Sequence, residues 1–243
     1  MRGAADSFKR VALELGGKGA NLIFADADEK AVKRGVIHCM NNTGQSCNAP
    51  TRMLVERSRY ARAVEEAAEV AASIKVGPAH EEGRHIGPVV NEAQFDKIQG
   101  LIQQGIDEGA RLVAGGTGRP EGFNRGFFVR PTVFADVTGD MTIAREEIFG
   151  PVLSIMPFDS EEEALAIAND TPYGLGAVIQ TTNPEAALDL ANRLEVGMVH
   201  INEPPGSEAE LPFGGVKRSG FGRELGKDGM DEFVNRQMVK MAR

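Results

Sequence analysis

Short apolar runs alternate with amphipathic stretches along most of this chain, and that constrains its fold more than any other feature. Strands and helices taking turns are the pattern of an α/β sheet. Leu22-Ile23-Phe24 precedes a helical stretch beginning near Asp28, where Val32, Gly35, Val36 and Cys39 recur at helical spacing. Asn42–Pro50 reads as a turn-rich loop, Arg52–Glu56 as a strand, and Tyr60–Ile74 as a helix with Tyr60, Val64, Ala67, Ala71 and Ile74 on one face. Asn91 caps a further helix whose apolar face carries Phe95, Ile98, Ile102 and Ile106. Leu112–Ala114, the extended run Phe127–Val137, Val152–Phe158, Leu175–Gln180 and Val196–Ile201 complete the expected strands. Ser160 with Glu163 forms a capping box, and Asn183-Pro184 opens another helix.

With 243 residues there is room for one large or two modest domains with a real core. The formal charge of −8 argues against nucleic acid or an anionic membrane as main partner, while leaving room for a local basic pocket. Cys39 and Cys47 are the only cysteines, too few for a disulfide scaffold, so a reducing compartment is expected. The N-terminus has no apolar core for a signal peptide, and no stretch approaches 18 continuous apolar residues. The expectation is a soluble, cytoplasmic protein.

Four segments could carry chemistry. Leu13-Glu14-Leu15-Gly16-Gly17-Lys18 sets a carboxylate between leucines before a paired-glycine turn, a setting that suits a general base and equally an exposed glutamate. In Asn42-Thr43-Gly44-Gln45-Ser46-Cys47-Asn48 a cysteine sits among small polar residues, where backbone N–H groups can approach a thiolate or an oxyanion. Cys39, on an apolar helix face, reads as structural. Glu146-Glu147-Ile148-Phe149-Gly150-Pro151-Val152 places a carboxylate able to take both hydroxyls of a ribose beside an aromatic ring; a helix end with solvated charges is the plainer alternative. Pro212-Phe213-Gly214-Gly215-Val216-Lys217, followed by Gly222-Arg223-Glu224, is glycine-dense backbone built for close approaches. None of His38, His80, His85 and His200 shows metal-ligand spacing, and no metal is called for.

In wording, order and spacing these segments resemble the aldehyde dehydrogenase family across nearly the whole chain. The resemblance implies an open, mostly parallel α/β sheet with flanking helices. It divides the chain into the end of a cofactor-binding domain (1–16), a catalytic domain (17–218), a returning segment with a helix (219–233) and a terminal oligomerisation strand (234–243). It implies Cys47 as the nucleophile toward an aldehyde, and Glu14 as the base that activates water against the resulting thioester. Glu224 matches a second acid near the site. Glu147 and Phe149, with Leu15 and Gly16, match residues that hold NAD or NADP, whereas Phe213, Ser46 and Asn48 match the substrate side. The Cys47 N–H would supply half of an oxyanion hole. Glu14 favours a hydrolytic enzyme over the coenzyme A-acylating branch. A homo-oligomer is implied for the full-length form.

The chain departs from the family pattern near its start. The family's Gly-Ser-Thr-x-x-Gly turn for the pyrophosphate, its adenosine-ribose lysine and its oxyanion-hole asparagine have no counterpart here. The expectation is therefore a chain impaired or inactive as an oxidoreductase on its own. A catalytically silent interaction protein and a cofactor-free esterase using Cys47 and Glu14 are the competing readings.

Overall fold

A computed structural model describes residues 1–242. In chain order the elements are α1 (Arg2–Ala5), β1 (Leu13–Glu14), β2 (Ala20–Ile23), α2 (Ala31–Met40), β3 (Arg52–Glu56), α3 (Arg57–Ser73), α4 (Glu92–Asp107), β4 (Arg111–Ala114), β5 (Thr132–Ala135), α5 (Thr142–Arg145), β6 (Val152–Phe158), α6 (Glu161–Asn169), β7 (Gly176–Gln180), α7 (Pro184–Arg193), β8 (Met198–Ile201), β9 (Gly220–Phe221) and α8 (Gly226–Asp231).

Seven strands form one sheet in the order β4-β5-β6-β3-β2-β7-β8. All neighbours run parallel except β4, which pairs antiparallel with β5 at the edge. Parallel strands are buried on both faces, so their sequences read as continuous apolar runs rather than alternating ones. Side-chain alternation then splits each run between two cores. Ile23, Met53, Val55 and Ile155 face α2 and α3, whose Val32, Val36, Cys39, Val64 and Ala67 close that side. Leu22, Leu54, Met156 and Ile179 face the other layer, filled by Phe95, Ile98 and Ile102 of α4, Ile143 of α5, Ala164 of α6 and Leu190 of α7. The result is the α/β sheet that the alternating pattern implied, in the open, mostly parallel form with flanking helices that the resemblance implied.

Several boundaries move. The first strand of the sheet is Ala20–Ile23, because pairing with β3 and β7 begins at Ala20 and ends before Phe24. The helix expected near Asp28 starts at Ala31, since Asp28 Oδ1 accepts the Lys30 N–H and forms a turn there. Only Thr132–Ala135 of the extended run Phe127–Val137 pairs. Within the chain, Val234–Met241 has no ladder partner among the described residues, and Met238, Val239 and Met241 lie 80–88% exposed. A second, two-stranded sheet joins the two ends of the chain: Leu13 pairs with Phe221 and Glu14 with Gly220.

Candidate active site

Segments far apart in sequence converge on Gly16 and Gly17. A Cβ on Gly16 would lie 2.0 Å from Glu147 Oε2, and one on Gly17 would lie 2.6 Å from the Cys47 carbonyl oxygen. The Gly17 N–H donates to Glu147 Oε1 at 2.9 Å. The glycine pair is thus the only kind of sequence that lets these two neighbours approach from opposite sides. Ser219, fully buried, fastens the crossing: its hydroxyl donates to the Gly16 carbonyl (2.7 Å) and accepts the Gly174 N–H (2.9 Å). The Leu15 N–H donates to the Ser219 carbonyl at 3.0 Å, while the Leu15 side chain is exposed.

The Cys47 loop leaves α2 through three successive left-handed residues, Asn42 (φ 50°), Thr43 (φ 59°) and Gly44 (φ 69°). A β-branched residue there is strained by about 1–3 kcal/mol, so the surroundings must over-determine it. They do: Thr43 Oγ1 donates to the Gly87 carbonyl, Gln45 Oε1 accepts the Val90 N–H, and Asn42 Nδ2 donates to the Gln45 carbonyl, each at 2.9 Å. Gly44 packs backbone to backbone, since a Cβ on it would meet the Gly150 carbonyl oxygen at 2.0 Å.

These constraints leave the Cys47 thiol half-buried against the Glu14 carboxylate. Burial first, and Glu14 second, push the thiol up to about 11; the N–H groups of Asn48 and Cys47 favour the thiolate but are outweighed. Glu14 Oε1 is buried without a hydrogen-bond partner among the described residues. Cys39 differs in every respect. It is fully buried, its Sγ donates to the Val152 carbonyl at 3.6 Å, and burial drives it up to about 12.

On the far side of the glycines, α4 holds the Glu147–Phe149 segment. Gln94 Nε2 donates to the carbonyls of Ile148 (3.0 Å) and Phe149 (2.9 Å), and Lys97 Nζ donates to that of Glu147 (2.8 Å). Phe149 sits at φ 56° with its ring half-exposed. Of the Glu147 carboxylate, one oxygen takes the Gly17 N–H and the other has no hydrogen bond among the described residues. That second oxygen is left able to accept a hydroxyl donor.

Phe213 and Glu224 are joined through their backbones, N–H to carbonyl in both directions at 2.6 and 2.7 Å. Phe213 lines a hollow of about 270 Å³ with Glu203, Glu208 and His200. Asn48 shares a small cavity with Pro205 of the same 203–208 loop, and the Ser46 carbonyl accepts the Ala49 N–H in the turn after Cys47. The Glu224 side chain is exposed and makes no hydrogen bond to Glu14 or Cys47 among the described residues. Cys47, Glu14, Gly16 and Glu147 therefore form one cluster, with Phe213 and Glu224 on an adjoining strip.

Two buried cations beside this cluster escaped the sequence reading. Arg52 donates to the carbonyls of Lys18 (3.0 Å), Ile167 (2.8 Å) and Ala168 (2.8 Å). Lys18 is 2% exposed and its Nζ has no hydrogen-bond partner among the described residues; burial, and then the Arg52 charge, lower it to about 7. A lysine after two glycines looks like a surface turn, and nothing local signals that it turns inward. Ser219 escaped for the same reason. No group of three or more His, Cys, Asp or Glu side chains that could hold a metal lies among the described residues.

Comparison with known proteins gives a single answer at every level. The profile of the Aldehyde dehydrogenase family matches residues 1–239. A 3-succinoylsemialdehyde-pyridine dehydrogenase from a Pseudomonas species is 49% identical over 97% of this chain and 50% of its own length. The crystal structure of an aldehyde dehydrogenase from Bartonella henselae superposes with a TM-score of 0.93 at 56% identity, over 96% of this chain and 49% of that one. A mutant aldehyde dehydrogenase C from Pseudomonas syringae, solved with NAD+ and octanal, gives 0.93 at 50% identity, over 96% and 48% of the two chains. The chain spans about half the length of the curated relatives it matches.

Proposed function

The chain belongs to the aldehyde dehydrogenase family, and from that membership we propose that it carries the chemical half of an enzyme oxidising an aldehyde to a carboxylic acid with NAD or NADP. The observation that carries the reading is the cluster itself: a thiol against a carboxylate, with a second, ribose-ready carboxylate across the glycine pair.

Cys47 Sγ adds to the aldehyde carbon as its proton passes to Glu14 and on to solvent. The N–H groups of Cys47 and Asn48, which already favour negative charge at the sulfur, face the oxyanion that forms. A bound NAD or NADP would supply the acceptor for the hydride from the Cys47-bound carbon, so that Cys47 would then carry the acyl group as a thioester. Glu147 would hold the ribose next to the ring, and Phe149 would pack beside it. Glu14 then takes a proton from water, the hydroxide adds to the thioester, and the sulfur leaves as the acid departs. Phe213, Ser46 and Asn48, with the 203–208 loop, shape the aldehyde's approach. Glu224 stands at the edge as a route for protons to solvent. The exposed 234–241 tail is the segment that adds to a second subunit.

Acyl transfer to Cys47 needs no nucleotide, so the 243-residue chain is expected to hydrolyse activated esters slowly without producing reduced cofactor from aldehydes. The near-attack geometry for hydride transfer is a large part of such a rate, and Glu147 with Phe149 grip one end of the cofactor only. The test assays ester turnover beside Cys47→Ala and Glu14→Gln, with mass spectrometry of the protein. Glu14→Gln should accumulate an acyl group on Cys47, and Cys47→Ala should be silent. Ester turnover that survives Cys47→Ala sinks the assignment.

A further inference from the structure

The layer formed by α2 and α3 holds a second hollow, of about 460 Å³, that the chemistry at Cys47 leaves unused. It runs along α2 from Lys33 to Met40, beside the last turn of α3, and is walled by Arg84–Ile86. That wall is fixed to the end of α3: the Ile86 N–H donates to the Lys75 carbonyl (2.9 Å) and the Gly77 N–H to the Ile86 carbonyl (3.0 Å). Ile37, Met40, Val70, Ile74 and Ile86 make an aliphatic floor, with Ile37 44% exposed. Lys33, Lys75, Arg84 and His85 line it, and the Glu66 carboxylate accepts the Lys33 N–H (3.2 Å) next to the Lys33 end. At the other end Lys75 and Arg84 are exposed side by side in the lining, and in a chain of net charge −8 that pair of cations complements an anion.

The lining narrows the class of anion. A nucleotide calls for an aromatic face or a glycine-rich turn of backbone N–H groups, and this floor has no aromatic residue and no glycine. An aliphatic stripe with a basic rim fits one extended alkyl chain ending in a carboxylate, and the volume is within the range of small-molecule sites. We propose that this groove binds a medium-chain aliphatic carboxylate, its head group at Lys75 and Arg84 and its chain over Ile37, Val70 and Ile74. The site rests on none of the chemistry assigned to Cys47.

Titration calorimetry of the 243-residue chain with decanoate, decanol and inorganic phosphate tests it. Saturable one-to-one binding of decanoate is expected, with decanol and phosphate each at least about tenfold weaker because neither carries both features. Lys75→Glu with Arg84→Glu, both on the exposed rim and checked by their melting curves, should weaken decanoate by at least about tenfold. Carboxymethylation of Cys47 should leave decanoate binding unchanged. Decanoate affinity untouched by the double charge reversal, or equal affinity for decanol, would overturn the proposal. Loss of binding on carboxymethylation would do the same, by placing the carboxylate in the catalytic cluster instead.

Discussion

One proton at Cys47 is contested. Burial and the Glu14 charge hold it on sulfur, while two backbone N–H groups pull toward the thiolate and lose. With the thiol near 11, its thiolate fraction rises about tenfold for each pH unit between 7 and 10. Alkylation of Cys47 should follow that slope, and Cys39, fully buried, should stay unlabelled in the folded chain. Peptide mapping after brief, limiting alkylation reads both; label appearing first on Cys39 would be fatal to the assignment. Glu14→Gln removes the competing charge and should speed Cys47 alkylation at pH 8 by on the order of tenfold. The contrast between a half-buried Cys47 and a fully buried Cys39 was legible in the sequence because the neighbours that set it are local. The protonation of Cys47 was not, because Glu14 lies 33 positions away and is placed by a strand pair closed through Gly220.

Among the elements, the helix starts with a side-chain cap were the most readable parts, for the same local reason, whereas the uncapped starts of α2 and α3 moved. Asn91, Ser160 and Asn183 each accept an N–H from three residues ahead, at 2.9, 3.3 and 3.2 Å. Strand ends were less readable because a strand stops where its partner stops. The left-handed run Asn42–Gly44 was hidden further, since a β-branched Thr43 argues against positive φ until Gly87 is seen to hold its hydroxyl. Thr43→Val should therefore cost about 1–3 kcal/mol by orphaning the Gly87 carbonyl, read as a lower midpoint in urea. Ser219→Ala strips a fully buried hydroxyl from both Gly16 and Gly174. A loss of roughly 2–4 kcal/mol is expected, together with a larger fall in ester turnover than Thr43→Val causes. A Ser219→Ala protein with unchanged melting and turnover would show that the crossing stands without its fastening.

For the molecule as a whole, Lys18 ties stability to pH. Its ammonium titrates near 7 when folded against 10.5 for the free side chain, so between those values the unfolded chain holds the extra proton. Stability from this residue accordingly rises with pH from about 7 to 10.5, and below 7 its burial costs on the order of 5 kcal/mol. Lys18→Met should stabilise the chain strongly at pH 6 and hardly at all above pH 10.5; equal effects at both, in denaturant titrations, would contradict it. At the tail, Met238, Val239 and Met241 are exposed apolar side chains with no ladder partner among the described residues, so light scattering should find mixed oligomers that resolve on removing residues 234–243. A monodisperse monomer with the tail intact would rule this out.

The pairing of β1 with β9 has a consequence in time. Glu14 and Cys47 are translated within 33 residues of each other, yet the strand partner of Glu14 is Gly220 and the serine that fastens the glycine crossing is Ser219. Domains are translated at about 5–20 residues per second, so Cys47 is made on the order of ten seconds or more before Gly220. Throughout that interval the nascent chain holds Cys47 while the strand pair that positions the Glu14 carboxylate is still open. A ribosome stalled before residue 219 would therefore display the Cys47 thiol without Glu14 held against it.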